Sequence, residues 1–193
     1  MALDQSLREL LLDVAEQCIR HRLKSGAECA VDVTNFPEEL RRERATFVTL
    51  NIHGRLRGCI GSLQAVRPWV ADVAANAQSA AFRDPRFPPL AVDEFAALET
   101  HISTLSVPEP MDVRSERDLL ERLRPGVDGL IISDGARRAT FLPSVWEQIP
   151  ERQAFLDHLR AKAGMAPGHW SSALRVERYT SESWGRDRPK NGP

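Results

Sequence analysis

The chain of 193 residues carries 26 Lys and Arg against 27 Asp and Glu, with a formal net charge of -1 and a pI of about 6.5. No overall positive field therefore draws it onto phosphate backbones or anionic membranes. A hydrophobic content of 42% is enough to build the core of one domain without disulfide or metal staples.

Leu3, Leu7, Leu10, Leu11, Val14, Ala15, Cys18 and Ile19 recur at helical spacing up to Gly26. This predicts an opening amphipathic helix with Cys18 packed on its apolar stripe. Asp4, Glu9, Asp13 and Glu16 interrupt the apolar run, so the segment reads neither as a signal peptide nor as a membrane span. Residues 30–44, with Pro37 and the run EELRRER, read as a surface connection. ATFVTLNIHGRLRGCIG, 45–61, gives two β-rich runs around a turn at His53 and Gly54, a hairpin signal that leaves His53 solvated. RPWVADVAANAQSAAF, 67–82, reads as a helix that accepts Pro68 near its start. RDPRFPPL, 83–90, holds three prolines within six residues, which excludes both helix and central strand and leaves a stiff loop.

LETHISTLS, 98–106, reads as a strand, and SERDLLERL as a short helix capped by Ser115. GVDGLIISDGARRATFLP is a second hairpin turning at its DG. PSVWEQI and ERQAFLDHLRAKAG read as helices, ALRVERYTSES as a last strand, and GRDRPKNGP, 185–193, as a disordered tail. Hairpins mixed with helices, without regular β-α-β alternation, predict an α+β fold. Mainly antiparallel sheets with flanking helices would form one compact, two-lobed domain over 1–184.

The chemistry centres on RLRGCIGSL, 55–63. Strand alternation puts Leu56, Gly58 and Ile60 on one face and Arg55, Arg57 and Cys59 on the other. A neighbouring arginine favours the thiolate over a thiol of pKa about 8.5. Gly58 and Gly61 would let a ligand or a backbone approach the sulfur. The same residues also fit packing, with glycines where a helix crosses a strand and cysteine where only a small apolar side chain fits, and spacing alone favours that reading. Cys18, Cys29 and Cys59 are an odd number with no C-x-x-C spacing, so a reducing cytoplasm is the expected compartment. No H-E-x-x-H, zinc knuckle, dinucleotide or Walker motif occurs, and the five histidines are scattered, so no metal and no cofactor is expected. His101 shares a strand face with Glu99 and Ser103 and would serve Cys59 as a base only if their strands are neighbours. In the proline loop, Arg86 and Phe87 are held ready for an anionic ligand or a protein partner. The alternative is an internal Arg–Asp ion pair with Phe87 turned into the core.

FVTL at 47–50, LRGCIG at 56–61, RFPPL at 86–90, GVDGLII at 126–132, TFLP at 140–143 and RYT at 178–180 together resemble the AMMECR domain family. Its prokaryotic members are called AmmeMemoRadiSam system protein A, and the resemblance covers roughly residues 5–182. It implies an α+β fold with a larger and a smaller lobe, and names no reaction. It also implies two partners, a Memo-like protein similar to non-haem iron dioxygenases and a radical S-adenosylmethionine protein, acting together in a modification pathway. The family's motif falls here on Leu56, Arg57, Gly58, Cys59, Ile60 and Gly61, on Arg86, Phe87, Pro88 and Pro89, and on Thr140, Leu142 and Pro143. His101 stands where the family commonly has an acid and is left out of the site. The expected function is that of an accessory or binding component. The alternative is a cysteine-dependent enzyme, with Cys59 as nucleophile, Arg57 and Arg86 on an anionic substrate and Thr140 donating a hydrogen bond. An RNA-binding module, suggested by RRER at 41–44 and ARR at 136–138, is the weakest reading because the charge is near neutral and no aromatics interleave those runs.

Overall fold

The computed structural model describes residues 3–188, which fall into two compact units, 3–105 with 182–188 and 106–181. The first unit opens with α1 (Gln5–Ser25), started by the Asp4 side chain accepting the Ser6 amide and stopped by Gly26 at φ 74°, a left-handed cap that glycine adopts without strain. Cys18 lies on its buried face as expected, and burial in apolar surroundings pushes its thiol pKa up. After a short α2 (Glu38–Arg41), strands β1 (Thr46–Ile52) and β2 (Arg55–Gly61) form the predicted hairpin. His53 and Gly54 both have positive φ, 52° and 73°, the pairing a type I′ turn requires.

Helix α3 (Trp69–Phe82) follows, then the proline loop, a 3-10 turn (Asp93–Ala97) and β3 (Leu98–Leu105). β1 pairs antiparallel with β2 on one side and β3 on the other. β8 (Ser181–Arg186) returns to the far side of β3, giving the order β2-β1-β3-β8. Val48, Leu50 and Ile102 point from this sheet into a core shared with Leu11, Ile19, Val70, Val73 and Ala77 of the two long helices. Buried Asp72 ties α3 to the hairpin by accepting from the Thr46 amide and hydroxyl, Ser62, Arg67 and Asn76. The small residues of α3 have a further use, since a side chain at Gly58 would collide with the Ala80 carbonyl oxygen. β2 and α3 therefore approach backbone to backbone.

In the second unit the order is β4-β7-β5-β6, from β4 (Glu109–Pro110), β5 (Gly129–Asp134), β6 (Arg137–Phe141) and β7 (Arg175–Tyr179). α4 (Glu116–Arg122), capped by Ser115, and α5 (Arg152–Lys162) flank it. Leu119, Leu130, Ile132, Leu156 and Leu159 form its core with Trp146 stacked on Phe155. The whole is the α+β architecture of two antiparallel sheets with flanking helices that the sequence predicts. No described helix is long and apolar enough to cross a membrane.

Three local expectations change. PSVWEQI forms a 3-10 turn (Pro143–Glu147) rather than a helix. The last predicted strand is two strands, β7 and β8, joined at Thr180. The segment from 185, expected as disordered tail, continues β8 to Arg186, and Arg186 and Arg188 pair with acids of α1. Its charges looked like solvating charges because their partners lie 170 or more residues upstream. Residues 189–193 of that expected tail lie outside the described residues.

Replacing Gly58 by Ala should lower stability by about 1–3 kcal/mol, the usual cost of overpacking a filled site. Gly54→Ala, strained only by its positive φ, should cost about 1 kcal/mol. Urea midpoints of the two variants check the ordering; equal costs would mean that β2 and α3 can separate freely.

Candidate functional site

β2 is an edge strand, and its edge is closed at one residue by side chains. The Cys59 amide donates to Asp84 Oδ2 at 2.8 Å, and Arg86 Nη2 donates to the Cys59 carbonyl at 3.3 Å. Asp84 and Arg86 are themselves joined by two parallel bonds, Nε to Oδ1 at 2.9 Å and Nη2 to Oδ2 at 2.7 Å. One acceptor and one donor thus stand where a neighbouring strand would offer its carbonyl and amide. The loop can do this because it is fixed at both ends: the Phe87 amide donates to Asp84 O, and the Leu90 amide to Ala81 O. Asp84 is buried. Its carboxyl is held well below the usual range, first by the Arg86 guanidinium, with burial opposing and the Cys59 amide assisting. Of the two expectations for RDPRFPPL, the Arg–Asp pair is present, while Phe87 is only partly buried.

Pairing in the hairpin is regular up to Asn51 opposite Leu56, then slips, so that Leu50 faces Gly58 and Thr49 faces Cys59. Arg57 is the extra residue of a β-bulge. Gly58 and Ile60 take the core-facing register predicted for them, but Leu56 does not: beside the bulge it is 43% exposed. The Arg57 guanidinium grips Glu94 at 2.7 and 2.9 Å, and its charged form is strengthened by that carboxylate. Glu94 in turn is held below its ordinary range by Arg57 and accepts the Ala91 amide. The Phe87 ring lies 5.9 Å from the Arg57 guanidinium and 5.5 Å from that of Arg86, within cation–π range.

The Cys59 thiol is partly buried, and Thr49 Oγ1 lies 3.2 Å from its sulfur. His101 does not reach it. Thr49 of β1 pairs with Cys59 on one side and His101 on the other, so the two strands are not neighbours and the histidine cannot act as its base. Arg57 and Arg86, expected to hold an anion, each already carry a carboxylate. Gly58 and Gly61 are explained by packing, against the Ala80 backbone and the Phe47 ring.

Thr140 belongs to the second unit. Tyr179 donates its hydroxyl proton to Phe141 O, and Thr140 Oγ1 lies 2.8 Å from that hydroxyl. The Tyr179 ring occupies the space that a side chain at Gly129 would need, next to Pro143. GVDGLII, TFLP and RYT therefore meet at one tyrosine. Sequence reasoning passed over Thr49, Glu94 and Tyr179. Tyr179 carried a signal, as the only tyrosine of the chain within a resemblance motif; Thr49 carried none, because the bulge sets its register.

Two four-stranded sheets, one with its edge closed by an Asp–Arg pair at a cysteine, define an α+β protein in which no nucleophile–base pair is assembled among the described residues at that edge. The chain belongs to the AMMECR1 family, whose profile matches residues 12–184. It is 34% identical over 179 residues to a protein of Methanothermobacter thermautotrophicus, covering 92% of this chain and 93% of that one. It is 32% identical to protein MJ0810 of Methanocaldococcus jannaschii, covering 82% and 81%. The crystal structure of uncharacterized protein PH0010 from Pyrococcus horikoshii superposes with a TM-score of 0.80 at 30% identity, over 99% of this chain and 96% of that one.

Because folding lowers the Asp84 pKa, the unfolded chain takes up its proton first as the solution is acidified. The stabilisation is complete above about pH 4, the unfolded value, and is lost as pH falls toward the folded value. Asp84→Asn should remove that share of the acid sensitivity. Urea unfolding from pH 6 downward should show a shallower decline for the variant than for the native chain; parallel declines would mean that the carboxylate is not so held.

Proposed function

We propose that this edge of the first unit is a binding surface of an accessory component, which acts with the Memo-like and radical S-adenosylmethionine proteins implied by the family, and that Cys59 is part of its framework. The carrying observation is that the amide and carbonyl of Cys59 are both engaged by the Asp84–Arg86 pair. A cysteine nucleophile needs an oriented base and donors for the developing oxyanion, its own amide being the commonest. Here that amide is occupied, and Thr49 is the only side chain hydrogen-bonded to the thiol among the described residues. What the edge offers outward is different. Arg86 is 54% exposed, and Leu56 and Val92 are exposed apolar side chains flanking the Arg57–Glu94 pair in sequence. A rigid guanidinium beside an aromatic ring and isolated aliphatics is the composition of a protein-binding patch.

The RNA-binding reading loses the arginines of its first run, 41–44. Arg41 donates to Phe36 O and Thr34 O, Arg42 pairs with Glu38, and Arg44 lies over Trp69.

Two measurements separate the binding surface from the enzyme. In the native chain, iodoacetamide should modify Cys59 no faster than an ordinary accessible thiol, and Cys59→Ser should keep both association with the purified partner proteins and pathway turnover. Leu56→Asp combined with Val92→Asp should weaken association by roughly tenfold or more, as loss of a patch centre does. Rapid selective alkylation of Cys59, with turnover abolished and association intact in Cys59→Ser, would establish the nucleophile instead.

A further inference from the structure

We infer that Glu99, His101 and Asp187 form a binding site for a divalent transition-metal ion, Zn2+ by preference, on the face of the first sheet that carries Cys59. Glu99 and His101 are two residues apart on β3, so their side chains leave the same side of the strand. Asp187 follows β8, the neighbouring strand in the sheet. One ligand atom from each lies within 4.8 Å of the other two, and His101 Nε2 is 3.1 Å from Asp187 Oδ1. Ligands held about 2.0–2.2 Å from one ion are at most about 4.4 Å apart. Asp187, 79% exposed, is free to close the remaining difference.

Two further observations point to a cation. Glu99 is only 7% exposed, yet no Arg or Lys pairs with it among the described residues. Its one recorded hydrogen bond is from the Gly54 amide at 3.1 Å. A buried carboxylate is costly unless a charge or a metal compensates it, and a fixed hydrogen bond to the carboxylate is the usual support behind a metal ligand. The imidazole is held too. A side chain at Gly185 would strike His101 Nδ1, so β8 is glycine at the one place where the ring needs the room. That packing leaves Nε2 on the side of Asp187.

The donor set selects the ion. One imidazole with two carboxylates suits borderline divalent ions, and at such a site Zn2+ binds more tightly than Mn2+ or Fe2+. Three protein ligands leave a fourth position for water. Cys59 stands in the same transverse row, with Thr49 between it and His101. Two strand spacings, about 10 Å, keep the thiol from being a ligand.

The test uses the full-length protein, stripped with a chelator and titrated with Co2+ and Zn2+. The expected result is one equivalent bound per chain, with a Co2+ spectrum showing d–d bands and no thiolate charge-transfer band, unchanged in Cys59→Ser. His101→Ala and Asp187→Asn should weaken Zn2+ binding by more than the roughly 10–100-fold that loss of a residue behind a ligand costs. Glu99→Gln should abolish the rise in Tm with Zn2+ while leaving the stripped protein folded by circular dichroism, which separates lost ligation from lost structure. Substoichiometric binding to the native chain, binding that survives His101→Ala, or a Co2+ spectrum with thiolate bands would each overturn the assignment.

Discussion

The bulge at Arg57 is the constraint on which the rest of the first unit depends. A two-residue turn at His53 and Gly54 fixes Ile52 opposite Arg55 and Asn51 opposite Leu56. Continued without interruption, that register would set Cys59 against Val48, on the face packed against the helices, since residues paired across a sheet share a face. One inserted residue moves every later position of β2 across the pleat. Cys59 then faces Thr49 away from the core, while Gly58 turns inward where the Ala80 carbonyl leaves no room for a side chain. The bulge also presents the Arg57 guanidinium to Glu94.

An edge strand that bends at a bulge still exposes backbone groups, and unpaired edge groups invite pairing with another chain. Here the proline loop answers for one residue with side chains. Proline cannot donate a ladder bond, and the loop is too stiff to become a strand. Asp84 and Arg86 supply the missing acceptor and donor, and their mutual pairing holds both at the required position. LRGCIG and RDPRFPPL are thus two halves of one contact, separated in the chain by the helix that positions the second half. The Cys59 sulfur accepts the Thr49 hydroxyl on the face away from the core.

The legible part of the sequence was whatever depends on local pattern. Helix ends at Gly26 and Ser115, the turn at His53 and Gly54, and the α+β class all follow from caps, turn residues and periodicity. An internal Arg–Asp pair in the proline loop was one of two open readings, and the structure has it between Asp84 and Arg86. What local pattern could not supply was register and long-range charge. Nothing in RLRGCIG marks an extra residue in the strand, so Leu56 was placed inside and Thr49 was missed. The tail looked disordered because its arginines are read without Glu9, Asp13 and Glu16, residues at the opposite end of the sequence. Strand adjacency failed in the same way: only the insertion of β1 between β2 and β3 separates His101 from Cys59.

The motifs that carry the resemblance divide into two kinds by what their side chains leave free. Those of the second unit are spent within it. Gly129 makes room for the Tyr179 ring, Pro143 lies against it, and Thr140 and Phe141 bind its hydroxyl. Every polar group named in that set has its partner. In the first unit the bonds are equally complete at Asp84 and Glu94, but the Arg86 side chain remains about half exposed after making them. A charge fixed by an internal partner and still exposed loses little conformational entropy on association. That difference is what supports the proposal of a binding surface on the first unit rather than the second.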